Sequence, residues 1–212
     1  QMFFEIGVFT AAIWLSGTLG KNSQAANQIA LNLSSMTYMI AVGLGVAATI
    51  RVGNQKGLKR PIELRRIAKS IFLMGLIFAA VFAALFIAFH EVLPNFYLDV
   101  EDLNNLKDNK EVVVIASRLL IIAALFQISD STQVVFLGAL RGLQDVIIPT
   151  LITFFSYWIV GFPLCYYLGS EAMYGSAGIW MGLLAGLTTS SIFLYLRFDY
   201  LSKQFIIKNK TA

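Results

Sequence analysis

Charged side chains are scarce in this chain: Asp, Glu, Lys and Arg make up only 13% of its 212 residues, whereas 58% are hydrophobic. A soluble globular domain carries roughly a quarter charged residues. The mean hydropathy of +0.72 points the same way, so the composition excludes an ordinary soluble domain and indicates a membrane protein. With one cysteine and one histidine, neither an internal disulfide nor a Cys/His metal cluster can form within the chain.

Two kinds of motif are also missing. The sequence contains no G-x-x-x-x-G-K-[ST] loop, so it carries no signal for ATP use. It offers neither a Ser/His/Asp set nor a metal-ligand set for catalysis, which makes an enzyme the least favoured class. We therefore expect no enzymatic activity and no organic cofactor. Cys165 stands in an apolar run, where a buried, inert thiol is expected.

Six apolar segments of about bilayer length follow one another along the chain. They span residues 2–19, 25–50, 68–90, 111–139, 146–168 and 174–197. The segments are continuously apolar and do not alternate, which favours helices over barrel strands. We predict an all-α polytopic membrane protein with six transmembrane helices, and we expect Gly53 and Gly57 to end the second of them.

Loop charges predict the orientation of these helices. The loop after the second segment is basic, with Arg51, Lys56, Lys59, Arg60, Arg65 and Arg66. The loop after the third is acidic, with Glu91, Asp99, Glu101, Asp102, Asp108 and Glu111. Because basic loops stay in the cytoplasm, the alternation also places the C-terminal tail there. Membrane insertion thus explains the net charge of +4, and no nucleic-acid partner is expected.

Two carboxylates, Glu5 and Asp130, stand inside apolar segments. An ionised group in the membrane interior is costly and usually marks an ion or proton pathway. Helical rise puts Glu5 and Tyr38 each roughly 20 Å below the external face, and Asp130 roughly 16 Å above the cytoplasmic end of its helix. Two acids and a phenol at mid-bilayer depth predict a small cation site built from hard oxygen ligands.

A structural alternative remains open at these residues. Glu5 then sits at a helix end, and Asp130 is neutral and hydrogen-bonded to Ser129, Ser131 or Thr132 in its own helix. Against it, five of the seven residues of the segment QISDSTQ, from Gln127 to Gln133, are polar. A lipid-facing helix is not interrupted in this way. Small residues from Gly43 to Ala48 predict close helix packing nearby.

Several ordered segments resemble one known family. They are FFEIGVF from Phe3, ANQIALNLSS from Ala26, ATIRVGNQKG from Ala48, LFQISDSTQVV from Leu125, GALRGLQD from Gly138 and YWIVGFPLCY from Tyr157. Together they resemble the multidrug and toxic compound extrusion (MATE) transporters, in particular the NorM-like branch. That resemblance implies a twelve-helix protein of two six-helix lobes, of which residues 1–212 correspond to the C-terminal lobe. Since Gln1 falls partway along the seventh helix, we expect the N-terminal lobe to be absent from this sequence.

The resemblance also implies a function and a site. It implies a multi-pass protein of the bacterial cytoplasmic (inner) membrane that exchanges Na⁺ or H⁺ for organic, often cationic, compounds. Its partners are then the lipid bilayer, small drug-like substrates and the missing N-terminal lobe. Glu5 and Asp130 match the acidic residues of the second-lobe cation site, as ligands of Na⁺ if the coupling ion is sodium. Tyr38 matches an aromatic hydroxyl near the ion, and Gln28 matches a drug contact in the external vestibule.

Three further points refine these expectations. Gln127, the first residue of the polar segment, is a second candidate substrate contact. Phe126 stands where some relatives have Tyr, which leaves Tyr38 as the expected phenol, and Asn27 replaces a frequent His. Two carboxylates with further oxygens suit Na⁺, whereas a close pair of acids can instead share a proton. We favour Na⁺ on the resemblance.

Two rival functions stay open. A lipid-linked oligosaccharide flippase of the same superfamily needs a cationic cavity, and no segment carries a central Lys or Arg. Arg118 comes nearest, and we expect it to snorkel or to meet Glu111 or lipid headgroups. The other rival is a non-transporting membrane scaffold or fragment. An upstream coding segment with six further apolar spans distinguishes that scaffold from a transporter lobe.

Overall fold

The computed structural model describes residues 2–98, 106–170 and 173–210, and every regular element in these ranges is helical. The elements are α1 (Met2–Thr18), α2 (Lys21–Gly57), α3 (Pro61–Ala88), a 3₁₀ turn (Leu93–Phe96), α4 (Leu106–Gly142), α5 (Ile147–Phe155), a π-helical turn (Ser156–Gly161), α6 (Phe162–Leu168) and α7 (Gly175–Lys210). Helix α5, the π-helical turn and α6 form one continuous rod.

Helix lengths in the described chain match membrane crossings. Helices α2, α3, α4, the α5–α6 rod and α7 are each long and apolar enough to span a bilayer, and α1 is a shorter apolar helix. The predicted all-α membrane fold is therefore confirmed. Asp99, Glu101 and Asp102, from the predicted acidic loop, lie outside the described residues.

Most helices extend beyond the apolar segments that predicted them. Helix α2 occupies residues 21–57 where 25–50 was predicted, α3 begins at 61 and not 68, and α7 ends at 210 and not 197. Hydropathy marks the part of a helix that lies in hydrocarbon, whereas hydrogen bonding continues into polar turns beyond it. The prediction that Gly53 ends a helix is wrong, because Gly53 lies inside α2 against Gly142 of α4.

Helices α2 and α4 pack through small residues, as the Gly43–Ala48 segment predicted. A Cβ atom on Gly138 would lie 2.1 Å from the carbonyl oxygen of Gly45, and Thr49 Oγ1 donates to Gly138 O at 3.0 Å. Only glycines allow backbones to approach this closely. Tyr38 precedes Gly45, and Asp130 precedes Gly138, by about two helical turns each. The glycine contact thus sets both side chains at one level.

The α5–α6 rod packs on α7 through a second glycine row. Gly178, Gly182 and Gly186 recur every four residues on one side of α7. A Cβ on Gly178 would lie 1.9 Å from Leu168 O, and one on Gly182 would lie 2.3 Å from Cys165 N. The rod's backbone therefore lies directly against α7, as small-residue packing between membrane helices allows.

Proline explains the π-helical turn in this rod. Pro163 has no N–H to donate and its ring crowds the carbonyl one turn earlier, so a regular α-helix is interrupted before it. The preceding N–H, from Phe162, instead bonds Tyr157 O, five residues back. This i→i+5 bond widens the turn, and Tyr157 lies at its start.

Basic side chains at one end of the bundle form hydrogen bonds and ion pairs between helices. Lys56 Nζ donates to Leu143 O at 2.7 Å and to Gln144 Oε1 at 3.0 Å. Arg197 pairs with Asp145 at 2.8 Å, and Asp199 pairs with Arg65 and Lys203. We call this end the basic end.

Different pairs join α2 to α4 at the opposite end. Lys21 pairs with Asp108 at 2.9 Å, and Asn22 donates to Glu111 at 2.9 Å. Glu111 thus meets Asn22. Of the three possibilities expected for Arg118, snorkelling and contact with lipid headgroups stay predictions. The two ends separate as the loop charges predicted, whereas the side of the membrane that each faces stays a prediction.

Candidate functional site

A polar belt on α4 separates two apolar cores. One core, nearer the opposite end, reaches Phe126 on α4, and the other, nearer the basic end, begins at Val135. The residues between them form the belt from Gln127 to Gln133. Gln127, Ser131 and Gln133 are buried, and Asp130 is half-buried. Burying so many polar groups is costly unless they bind one another or a ligand.

A cavity opens beside this belt between α2, α3 and α4. Its volume is about 20 Å³, which suits one water molecule or one small ion. Tyr38 lines it from α2, Gly75 from α3, and Gln127, Asp130 and Ser131 from α4. The structure therefore brings three of the predicted site residues, Tyr38, Gln127 and Asp130, around one space.

Glu5 reaches the same region from α1. Gln133 Nε2 donates to Glu5 Oε1 at 2.8 Å, and Gln133 follows Asp130 by about one helical turn in the same belt. The two acids thus belong to one polar region, although Glu5 is not among the residues that line the cavity.

Two of the three hydroxyl neighbours of Asp130, on Ser129 and Thr132, have partners other than its carboxylate. Ser129 Oγ lies 2.9 Å from Thr188 Oγ1 of α7, and Thr132 Oγ1 donates to Ile128 O at 2.7 Å. A hydroxyl group has one hydrogen to donate, so the Thr132 hydrogen is not available to the Asp130 carboxylate. The carboxylate lines the cavity instead.

Gln127 carries an unsatisfied amide. Its side chain is 6% exposed, and neither its nitrogen nor its oxygen has a hydrogen-bond partner in the part of the chain that the structure describes. Each such buried group costs about 1–3 kcal/mol. Since Gln127 lines the cavity, an occupant with polar groups would satisfy it.

Gln28 lies away from this cavity. It is exposed on α2, as are Gln24, Asn32 and Ser35, which recur along one side of the helix. Its neighbour Asn27 points inward and accepts a hydrogen bond from Trp180 Nε1 at 2.8 Å. The predicted substrate contacts Gln28 and Gln127 therefore do not share one pocket.

Sequence reasoning missed Gln133 and Tyr157. Tyr157 OH donates to Gln133 Oε1 at 3.2 Å, which continues the contact of Gln133 with Glu5. The sequence could have indicated Gln133, because it follows Asp130 by about one helical turn within the polar segment and so lies on the same side of the helix. Tyr157 stands in an apolar run, where a phenol gives no sign of its partner.

The ligand inventory limits which ion fits. Within residues 2–98, 106–170 and 173–210, no three His, Cys, Asp or Glu side chains come together as a metal site. A cation here would rely on two carboxylates and neutral oxygens, a set that suits a monovalent hard cation or a proton better than a transition metal. Cys165 is buried, and its thiol donates to Ile179 O at 3.2 Å.

Membrane-length helices around a belt of buried carboxylates and amides define a polytopic membrane protein with a polar site inside its bundle. The MatE family model matches residues 1–167. The chain belongs to the MatE family, as the resemblance predicted. Family membership identifies it as part of a transporter family and not of an enzyme family.

Curated relatives agree with this assignment. The chain is 40% identical over 208 residues to the multidrug resistance protein MdtK of Proteus mirabilis (strain HI4320), covering 96% of this chain and 43% of that protein. It is 39% identical, with the same coverage, to MdtK of Yersinia pestis (strain Pestoides F). The chain therefore spans less than half the length of the curated relatives it matches.

Solved structures share the fold. The eukaryotic MATE transporter AtDTX14 matches 95% of this chain and 45% of its own chain, with a TM-score of 0.79 at 20% identity. A MATE P26A mutant matches 96% and 44%, with a TM-score of 0.84 at 13% identity. A MOP superfamily transporter from Pyrococcus furiosus, described as having a binding pocket of reverse polarity, matches 93% and 44% with a TM-score of 0.81 at 13% identity.

Proposed function

We propose that this chain is the C-terminal lobe of a multidrug antiporter that exchanges Na⁺ or H⁺ for small organic, often cationic, compounds. The observation that carries the proposal is the convergence of Asp130, Tyr38 and Gln127 on one ion-sized cavity inside a membrane bundle, with Glu5 bonded to Gln133 of the same polar belt. The name of the MdtK relatives, multidrug resistance protein, supports the substrate class. An N-terminal lobe in the same polypeptide would supply the rest of the transporter.

The mechanism follows from linkage between two ligands. The coupling ion binds near Asp130 and Glu5, with the Tyr38 hydroxyl as a neutral oxygen ligand from across the cavity. Neutralising the carboxylates weakens their attraction for a cationic compound and favours the conformation that releases it. Each charge that moves inward through the membrane potential supplies about 2.3 kcal/mol per 100 mV.

We assign the ion as Na⁺. The Asp130 carboxylate, the Tyr38 phenol and the Gln127 amide line one small cavity. Together with Glu5, which bonds Gln133 of the same polar belt, they give several oxygens for one cation, as a hard ion requires. Gln127 then either completes the ion site or contacts the substrate. Gln28 contacts substrate separately, from the exposed polar side of α2.

The cavity gives the flippase reading no support. Among the described residues that line it, none is Lys or Arg. Arg118 lines a separate, more open cleft with Ser23 and Tyr174. A pyrophosphate headgroup needs cationic partners, and the central cavity offers the Asp130 carboxylate instead. We further propose that the protein resides in the bacterial inner membrane, with the basic end and the C-terminus in the cytoplasm.

Removing either carboxylate tests the site. In the full polypeptide that contains this chain, we expect Glu5→Gln or Asp130→Asn to reduce ethidium efflux from transporter-deficient cells to background, because the ion loses a charged ligand. Glu91→Gln is the matched control, since the Glu91 side chain is 82% exposed and lies outside the bundle. Wild-type efflux in either site variant, at equal membrane abundance, overturns the assignment.

The ion itself is tested in membrane vesicles. We expect ethidium transport to follow an imposed Na⁺ gradient at fixed pH. Transport that is driven by a pH gradient and is indifferent to Na⁺ overturns the sodium assignment and leaves the carboxylate site in place.

A further inference from the structure

The exposed side of α3 is apolar over most of the thickness of a bilayer. From Leu73 to Phe89, directly after the helix, every exposed residue is Leu, Met, Ile, Val, Phe or Ala. The larger of these side chains are about half exposed, such as Leu73 at 56% and Ile77 at 56%. Lipid tails accept apolar side chains and disfavour unpaired polar ones. The side of α3 that points away from the bundle therefore faces lipid.

The same side of α3 becomes basic where the hydrocarbon ends. Lys69 and Arg66 precede Leu73 by about one and two helical turns, and both are exposed. Lys69 lies about 20 residues before Phe89, which at the helical rise is roughly 30 Å, the thickness of the hydrocarbon core. These basic side chains thus lie at the level of the lipid headgroups. With the exposed bases just before the helix they form the α3 basic patch, which is Lys59, Arg60, Arg66 and Lys69.

One acid faces this patch from the same helix. Glu63 Oε1 lies 4.0 Å from Arg66 Nη1, and the two side chains are 49% and 78% exposed, so this contact neutralises little of the charge. Among the residues that the structure describes, Lys59, Arg60 and Lys69 have no carboxylate oxygen within the 4.0 Å that separates Glu63 from Arg66. The patch therefore keeps a net positive charge.

The acid on the neighbouring helix is bound by other bases. Asp199 of α7 acts on Lys69 electrostatically, but it already pairs with Arg65 and Lys203. Arg65 and Lys203 thus differ from the patch residues, because their charges have a partner within the bundle. The charge of the patch is left for a partner outside the described chain.

We propose that the α3 basic patch binds the headgroups of anionic phospholipids. A guanidinium group binds phosphate oxygens with two parallel hydrogen bonds, and clusters of Lys and Arg beside a membrane helix recognise anionic lipid. A zwitterionic headgroup carries an ammonium group that offsets its phosphate, whereas phosphatidylglycerol keeps a net negative charge. The partner is lipid because the patch continues the lipid-facing side of α3. This inference is independent of the coupling ion and of the transported compound.

Quenching by spin-labelled lipid measures which headgroup lies beside the patch. Ser70 is exposed next to Lys69, so a fluorophore on Ser70→Cys reports on nearby lipid in a full polypeptide whose native cysteines are replaced. In phosphatidylcholine nanodiscs at low salt, we expect phosphatidylglycerol with a nitroxide near its headgroup to quench more strongly than phosphatidylcholine with the same label. Added salt should remove this preference, because ions screen exposed charges.

Arg66→Gln combined with Lys69→Gln tests the patch itself. We expect the preference for phosphatidylglycerol to fall by about fivefold or more, since one basic side chain near an anionic membrane surface contributes roughly that factor. Lys107→Gln combined with Lys110→Gln is the matched control, because it removes two exposed charges near the opposite end of the bundle. The control should keep the preference unchanged.

Several outcomes overturn the proposal. Equal quenching by the two lipids beside the unaltered patch shows contact without selectivity, and a preference that is indifferent to salt shows that charge does not cause it. No quenching by either lipid shows that another part of the polypeptide covers α3 here. A preference that survives in the double variant places the anionic lipid elsewhere. If that variant does not reach the membrane, Lys69→Gln alone carries the same test. Efflux by Glu5→Gln bears on the proposed function and not on this site.

Discussion

At the residue scale, two buried glutamines of α4, Gln127 and Gln133, differ in whether their amide groups have hydrogen-bond partners. Both amide ends of Gln133 are bonded, to Glu5 and to Tyr157. Both amide ends of Gln127 lack a partner among the described residues, although Gln127 is as inaccessible as its neighbours. A buried polar group without a partner lowers stability, and such a cost is often retained where a ligand binds. Gln133 therefore stabilises the fold, whereas Gln127 is placed to bind a ligand in the cavity.

This contrast predicts opposite effects of one substitution. We expect Gln127→Met to leave the melting temperature of the detergent-purified full polypeptide unchanged or raised, since it removes unpaired polar atoms, and to weaken efflux. We expect Gln133→Met to lower the melting temperature, by the equivalent of about 1–3 kcal/mol, because it leaves Glu5 and Tyr157 without their bonds. A lower melting temperature in Gln127→Met with unchanged efflux contradicts this account.

Sequence reasoning reached some of these residues and not others, for a physical reason. Glu5 and Asp130 were predictable because a carboxylate in an apolar run has a high energy wherever its neighbours lie. Tyr157 was not, because a tyrosine is common in membrane helices and its partner depends on which way the rod faces. The partner of Gln133 depends in turn on α1, a helix far away in the sequence.

At the element scale, glycine contacts decide where the helices sit. Gly138 meets the backbone of Gly45 so closely that even one methyl group does not fit. Tyr38 and Asp130 lie about two turns from this contact along their helices. The level of the cavity is therefore a consequence of packing about 11 Å away from it.

Alanine at the contact tests this dependence. We expect Gly138→Ala to force α2 and α4 apart and to lower the stability of the full polypeptide by about 1–3 kcal/mol, as overpacking does, with a parallel loss of efflux. Gly43→Ala is the control, since a Cβ there meets nothing within 4 Å. The measurements are the melting temperature and ethidium efflux. Equal behaviour of the two variants shows that the contact is not limiting.

The helices were predictable at this scale because the backbone N–H and C=O groups of a long apolar run must bond one another inside the membrane, and a helix satisfies them within the segment. Helix ends were not, because polar turns such as Arg51–Gly57 continue the α2 hydrogen bonds after hydropathy has fallen. The small residues from Gly43 to Ala48 correctly predicted close packing but did not name α4 as the partner. That choice requires the three-dimensional arrangement.

At the scale of the whole molecule, charge divides the bundle into two ends. Lys56, Arg65, Arg197 and Lys203 bind partners at the basic end, and Lys21 binds Asp108 at the opposite end. An exposed pair such as Lys21 with Asp108 adds little to stability. The distribution of the charges matters for insertion, because basic loops resist translocation across the membrane.

Cysteine labelling tests the orientation. In a full polypeptide whose native cysteines are replaced, we expect Asn95→Cys to react with a membrane-impermeant maleimide on intact cells. Lys59→Cys should react only after the cells are permeabilised. Both positions lie outside the long helices and are exposed. The reverse labelling pattern contradicts the predicted orientation.

The π-helical turn changes which residues of the α5–α6 rod face the interior of the bundle. The buried residues Tyr157, Gly161 and Cys165 of this rod, and Gly169 directly after it, recur every four positions. On a regular α-helix such a row rotates about the axis by roughly 40° per step, and by roughly 120° over three steps. A wider turn absorbs part of that rotation, so one side of the rod keeps facing inward along its length. The wider turn before Pro163 therefore keeps two contacts on the same side of the rod. At one level the Tyr157 phenol bonds Gln133, which bonds Glu5. At another level the rod's backbone packs on Gly182 of α7.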